Sequence, residues 1–206
     1  MTTAMYEAGY NSSRALYEGA GEQLGMTPAT YRRGGAGARI AYAVAESPLG
    51  PVLIAATEKG VCALRFGEED ALLEELRREF PSATLTHDPA AVRPYLDAVL
   101  DHLGGRLPNP TLVTDAVGTA FQQRVWTALR EIPYGQTRSY SQIAEAIGAP
   151  TAVRAVARAC ATNPVALLVP CHRVISAAGK LSGYRWGVER KRVLLERERK
   201  AGETRS

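Results

Sequence analysis

The apolar positions change period along the chain. From Arg39 to about Phe66 they fall in short β-leaning runs, IAYAVAES, PVLIAATE and GVCALRF, separated by Pro48-Leu49-Gly50 and Glu58-Lys59-Gly60. Runs of this length bounded by Gly and Pro read as strands, and the short turns between them predict three strands in antiparallel succession. The period then lengthens to that of amphipathic helices over 69–80 (EDALLEELRREF) and 89–104. A Pro-rich passage at 107–111 leads into a mainly helical second half. Residues 119–131 place Phe121, Val125, Trp126 and Leu129 on one face, and Pro133-Tyr134-Gly135 breaks that helix. Ser139 or Ser141 opens a short helix through Ile143 and Ile147 that Gly148 ends, and Thr151 is the expected cap of the next, TAVRAVARACA. Two short helices joined by Gly148-Ala149-Pro150 have the proportions of a helix-turn-helix.

Before the first strand, residues 1–33 read as short helices, with Ser12 or Ser13 as one cap, Gly25 as a stop and Thr27-Pro28 opening a further turn. Residues 34–38 are Gly-rich without apolar periodicity and read as a linker. The expected organisation is an N-terminal segment (1–33), a linker (34–38), an α/β subdomain (39–118), a helical domain (119–200) and a tail (201–206).

Composition narrows the function classes. The start, MTTAMYEAGY, has no apolar core and is not a secretory signal. No apolar run, 165–169 included, comes near the roughly 20 residues of a membrane-spanning helix, so the expectation is a soluble, cytoplasmic protein with no membrane partner. Cys62, Cys160 and Cys171 are odd in number and widely spaced, which excludes a disulfide framework and a four-thiolate zinc site. Cys62 lies in a strand and Cys160 on the apolar face of its helix, so both read as core. Charge divides the chain. From Thr119 onward 15 Lys/Arg stand against 6 Asp/Glu, whereas the residues before it carry 10 against 15. A basic half beside an acidic half points to a polyanionic partner or to a solvated basic tail.

The most informative stretch is Asn163-Pro164, five residues, then Pro170-Cys171-His172-Arg173-Val174. With Ser139-Tyr140, the helix carrying Arg154, Leu181-Ser182-Gly183-Tyr184 and a last helix with Leu194, Leu195 and Glu198, it resembles the O6-alkylguanine-DNA alkyltransferases. The resemblance is strong over about 119–200 and weak over 39–118. It implies an RNase H-like α/β N-terminal subdomain followed by a mainly α domain with a helix-turn-helix. It also implies DNA repair by irreversible, stoichiometric transfer of a methyl or other alkyl group from guanine O6, with thymine O4 as a second candidate, to Cys171.

The residue types suit that chemistry. The carbon of an O6-alkyl ether calls for a soft nucleophile, and a thiol with an ordinary pKa of about 8.5 is mostly protonated at neutral pH unless its surroundings shift it. The resemblance makes His172 the acceptor of the thiol proton through a water, Glu198 the residue that orients His172, and Asn163 the buried support of the network. It gives Arg154 the place vacated by a flipped base, Tyr140 a role in rotating the nucleotide and hydrogen-bonding the guanine, and Val174 (backbone) and Tyr184 (ring) places in the pocket. Arg158, one turn on from Arg154, departs from the family's usual small residue and reads as an extra phosphate contact or as an inert surface charge. Arg185 falls where some relatives have a pocket Ser. The Ala-rich helix suits close approach to the minor groove with little sequence reading. No metal or organic cofactor is called for, and the expected state is a monomer on double-stranded alkylated DNA.

Residues 1–33 resemble something else. Gly25-Met26-Thr27-Pro28 followed by Tyr31-Arg32 is similar to the last part of an AraC-type DNA-binding domain, as in bifunctional adaptive-response proteins. Only the second of that unit's two helix-turn-helix motifs is represented, so either a remnant or a truncated form of a longer bifunctional protein is expected, and a working regulator is not. Three other readings compete: a lesion-binding module without an acceptor, which Cys171 opposes; a transcription regulator, which the single motif opposes; and a Cys-His hydrolase, for which neither His87 nor His102 has supporting context.

Overall fold

The computed structural model describes residues 26–106, 110–181 and 183–203. Helix α1 (Pro28–Arg32) opens the described chain, with the Thr27 side chain accepting from Thr30 N as its cap. Strands β1 (Arg39–Ala45), β2 (Val52–Thr57) and β3 (Gly60–Phe66) follow, paired antiparallel in succession as their alternation and turns predict. Next come α2 (Glu69–Glu79), β4 (Thr84–His87) and α3 (Pro89–Leu103). β4 was not anticipated: it is four residues long, mostly polar, and pairs parallel to β1 at the edge. The sheet is therefore mixed, in the order β3-β2-β1-β4. A parallel partner needs a crossover connection, and α2 supplies it.

Both faces of the sheet are covered, which is why β2 and β3 are buried along almost their whole length. One face carries Ile40, Leu53, Ala55, Cys62 and Ala63 against Met26 and against Leu72 and Leu76 of α2. The other packs Ala43, Val52, Ile54 and Leu64 against α3 and the helical half in one continuous core. The Gly-rich stretch after α1 is tied down as well. Ser82 N donates to Gly34 O at 2.8 Å and Thr84 N to Ala38 O at 2.9 Å.

The second half holds α4 (Ala120–Arg130), a two-residue strand β5 (Arg138–Ser139), α5 (Tyr140–Ala146), α6 (Val153–Ala161), a 3-10 turn (Cys171–Arg173), β6 (Val174–Ile175) and α7 (Val188–Glu203). Thr119 and Ser139 cap α4 and α5 in reciprocal capping boxes with Gln122 and Gln142. Gly148, at φ +67°, ends α5: its N–H donates to Glu145 O and that of Ala149 to Ala144 O. These two bonds are the Schellman pattern, which needs a left-handed residue after the helix and so favours glycine. The cap of α6 is Ala152 and not Thr151, and no side chain caps it. Buried Trp126 donates its indole N–H to Ala159 O at 3.0 Å, joining α4 to α6 and fixing the helix-turn-helix to the core.

Candidate active site

The chain leaving α6 makes a tight loop before Cys171, and Asn163 holds both of its ends. Asn163 is fully buried. Its Nδ2 donates to Val169 O at 2.8 Å and to Cys171 Sγ at 3.3 Å, and its Oδ1 accepts from Val165 N at 3.0 Å. The loop is also added to the edge of the sheet: Leu64 N donates to Pro164 O at 2.9 Å and Ala166 N to Leu64 O at 3.0 Å. Within it, Leu168 N reaches back to Ala166 O across Leu167, whose φ of +66° is a conformation that non-glycine residues seldom adopt. Pro170, at φ −79° and ψ 61°, sits in an inverse γ-turn closed by Cys171 N donating to Val169 O. Such strain persists only where surrounding contacts over-determine it, as the sheet edge and Asn163 do here.

Cys171 is 3% exposed. Burial pushes its thiol up to about 11, against the opposing pull of the Asn163 hydrogen bond, the Lys191 charge and nearby backbone N–H groups. The resting group is therefore a protonated thiol and not the abundant thiolate that the chemistry would favour, so deprotonation has to accompany the reaction.

His172 is placed for that task. Its Nε2 lies 2.7 Å from Glu198 Oε1. An ionised carboxylate only accepts hydrogen bonds, so Nε2 carries the hydrogen and Nδ1 of the neutral ring is the basic nitrogen. Nδ1 is buried and has no hydrogen-bond partner among the described residues. Burial lowers the ring's pKa, against the raising effect of Glu198, which keeps the imidazole neutral and able to accept a proton. Glu198 itself is 1% exposed. Burial would raise its pKa, but the hydrogen bonds from His172 and Arg173 and the Arg173 charge outweigh it and hold the carboxyl down to about 2.

Arg173 forks onto both Glu198 oxygens, Nε to Oε2 at 2.8 Å and Nη2 to Oε1 at 3.1 Å, while Nη1 donates to Ile132 O at 2.8 Å. Gly135 N adds a fourth donor to the carboxylate at 3.1 Å. Gly135 has φ +78°, and a Cβ there would stand 3.1 Å from Glu198 O, so glycine is suited to this approach. Sequence reasoning gave no role to Arg173, although it lies in the quoted motif, nor to Lys191. Lys191 is fully buried and its Nζ donates to Val174 O at 2.5 Å. Nothing in the run ERKR distinguishes that lysine from its exposed neighbours.

The parallel pairing of β5 with β6, Arg138 opposite Val174 and Ser139 opposite Ile175, brings Tyr140 to the turn that follows Cys171. Tyr140 is half-buried and Val174 fully buried in the cluster that contains Cys171. Tyr184 packs on the same cluster, edge-on to Trp186 with ring centroids 5.1 Å apart. Its hydroxyl is buried without a hydrogen-bond partner among the described residues, and burial together with the nearby Cys171 holds its pKa well above the ordinary value. Arg154 and Arg158 stand apart from this group on the exposed side of α6. Cys62 and Cys160 are buried, as expected of core residues. No group of three His, Cys, Asp or Glu among the described residues could hold a metal ion. None of the described helices is long and apolar enough to cross a membrane.

Two family models match the chain. Residues 40–103 fit the 6-O-methylguanine DNA methyltransferase, ribonuclease-like domain, and residues 120–200 fit the DNA binding domain of the same family. The chain belongs to the 6-O-methylguanine DNA methyltransferases. Among members of that family, the methylated-DNA–protein-cysteine methyltransferase of Mycobacterium tuberculosis is 47% identical over 161 residues, covering 78% of this chain and 93% of that protein. The bifunctional transcriptional activator/DNA repair enzyme Ada of Escherichia coli is 48% identical over 199 residues, or 96% of this chain. The chain spans only 56% of that relative's length. A crystal structure of the M. tuberculosis methyltransferase in complex with DNA superposes with a TM-score of 0.68 at 43% identity, covering 78% of this chain and 94% of that one. The methyltransferase fold expected from the motifs, an α/β subdomain followed by a helical domain, is thus the fold observed.

Proposed function

We propose that this methyltransferase repairs alkylated DNA by moving an alkyl group from guanine O6, or from thymine O4, onto Cys171. The observation that carries the reading is a buried thiol fixed by Asn163, followed in sequence by a neutral imidazole polarised by an ionised carboxylate. The Cys171 proton passes to His172 Nδ1, bridged by a water because adjacent side chains diverge. A bond forms between sulfur and the alkyl carbon while the bond from that carbon to O6 breaks. The electron pair stays on the guanine, which takes up one proton from water while the Tyr140 hydroxyl donates a hydrogen bond to it, and the proton held by His172 passes to water once the base has left. The product is a thioether with no group that water could displace, so each molecule reacts once. Titration of the full chain with O6-methylguanine duplex should consume about one methyl per active molecule, and mass spectrometry should find it on the Cys171 peptide. Repeated turnover would overturn the reading.

The lesion carbon is inaccessible inside stacked DNA, and the base has to be rotated into the pocket. Arg154, exposed on the uncapped α6, fills the vacated position from the minor groove; Arg158 contacts phosphate; Val174 and Tyr184 line the pocket. The Ala-rich face reads little sequence, and the protein acts as a cytoplasmic monomer. Arg154→Ala is expected to slow repair of duplex DNA about 10-fold or more, the loss of about 1.4 kcal/mol or more of unstacking support. Its rate with free O6-methylguanine base should hardly change. Equal losses on both substrates would remove Arg154 from base flipping. The AraC-like segment, 1–33, takes no part in this reading; residues 1–25 lie outside the described structure.

A further inference from the structure

Arg185 follows the pocket tyrosine directly, yet its guanidinium is bound by the other half of the molecule. Its Nη2 donates to Glu75 Oε2 of α2 at 2.9 Å, and its Cζ lies 5.7 Å from the centroid of the Trp186 ring. Glu75 and Glu79 are one helical turn apart, and both carboxylates face Arg65 of β3. The Arg65 side chain is 0% exposed. It donates to Glu79 through Nη2, and its Nη1 lies 3.6 Å from the Glu75 oxygen that Arg185 holds. Tyr31 closes the far end of the cluster by donating to Glu79 Oε1 at 2.9 Å.

An isolated pair with side chains 32% and 40% exposed, as Arg185 and Glu75 are, contributes little on its own. Here the carboxylate already faces a buried cation, 3.6 Å from an Arg65 Nη1 that has no hydrogen bond of its own among the described residues, and Arg65 cannot move away without abandoning Glu79. The pocket side has the opposite property. Tyr184 has a buried hydroxyl with no hydrogen-bond partner among the described residues, so its place depends on ring packing and on what holds its neighbours.

We propose that Glu75, backed by Arg65, is a positioning residue for the reaction: through Arg185 it holds residues 183–186, and with them the Tyr184 ring, against Cys171. The N-terminal half thereby shapes the pocket without touching the substrate. Arg65 also gives Glu75 a substitute partner on the same oxygen, so the contact can be released while a base enters.

The inference rests on Cys171 being the alkyl acceptor, and one arm of its test is independent of that. Full-length wild type, Glu75→Gln, Arg185→Ala and the double variant are compared for single-turnover rate at saturating O6-methylguanine duplex. Duplex affinity is measured for the same variants on a Cys171→Ala background. Cys171 is also labelled with iodoacetamide and the modified peptide quantified. Each single substitution should lower the saturated rate about three- to tenfold and leave the affinity unchanged, with the double variant no slower than the slower single. Labelling of Cys171 should become faster, because the segment over it is less firmly held. Unchanged saturated rates, additive losses in the double variant, or a loss appearing in affinity alone would overturn the proposal. Slowing of both reactions in step with a lower Tm would reduce Glu75 to a structural role and also overturn it. Faster labelling in the variants of a wild type that accepts no methyl would leave the brace standing and remove the assigned reaction instead.

Discussion

Cys171→Ala is expected to abolish alkyl transfer to below detection while the protein stays folded and still binds lesion-containing DNA. Removing Sγ takes away one of two acceptors from Asn163 Nδ2, but the 2.8 Å bond to Val169 O remains, so the loop keeps its staple. The lost sulfur costs on the order of 1 kcal/mol of burial, too little to unfold a domain with this core. No second thiol can take over. Burial pushes the Cys62 and Cys160 thiols far above the usual range, and Cys62 donates to Ala55 O within the sheet. The measurement is radiolabelled methyl transfer combined with binding of an O6-methylguanine duplex by fluorescence anisotropy. Methyl recovered on Cys62 or Cys160 would show that the acceptor had been misassigned.

The second large effect belongs to Glu198→Gln. Glutamine keeps an oxygen that can accept from His172 Nε2, but not the charge that stabilises the imidazolium formed when Nδ1 takes the thiol proton. General-base help from a positioned imidazole is worth about 100- to 10,000-fold, and a loss towards the lower end of that range is expected at pH 7.5 because the ring itself is kept. The sign of the pH dependence follows from the thiol. With its pKa pushed up to about 11, Cys171 ionises unaided only at high pH, so the deficit of the variant should shrink steadily as pH rises from 7 towards 10. On the acid side the wild-type rate falls once His172 protonates, below its already lowered pKa. The substitution also leaves Arg173 buried without its counter-charge, which costs stability on the order of 3–5 kcal/mol. Rates should therefore be taken below the variant's Tm. A constant deficit at every pH would mean that Glu198 serves the fold and takes no part in the proton path.

Much of this was legible in the chain itself, and the exceptions have physical reasons. Strands β1 to β3 and helices α2 to α5 follow from apolar period and from caps such as Ser139, because these are local signals. β4 escaped notice because four residues, three of them polar, at a sheet edge carry no period; only pairing with β1 makes them a strand. Thr151 has a capping side chain but stands one residue before the cap position, a register that depends on how the turn after Gly148 closes. The site divides in the same way. Cys171, His172 and Asn163 sit in one motif. Glu198 and Lys191 lie in charged runs where solvent exposure is the default, and they are buried because partners from distant segments reach them: His172 and Arg173 for one, the Val174 carbonyl for the other. Arg185 drew attention as a departure from the family, but its partner on α2 was not foreseeable from 110 residues away.

The loop before Cys171 serves as a short fifth member of the sheet, laid along β3 at Leu64. Edge strands left bare are templates for association between molecules; residues 113–115 cover this one at Val61, and at Leu64 it is closed by the very segment that positions the thiol. Severing the chain near residue 118 would therefore leave a sticky edge on one fragment and, on the other, a strained turn with nothing to grip. The two halves are not interchangeable cassettes: a graft of the helical half onto another scaffold needs a strand edge at the same height to keep its sulfur in register.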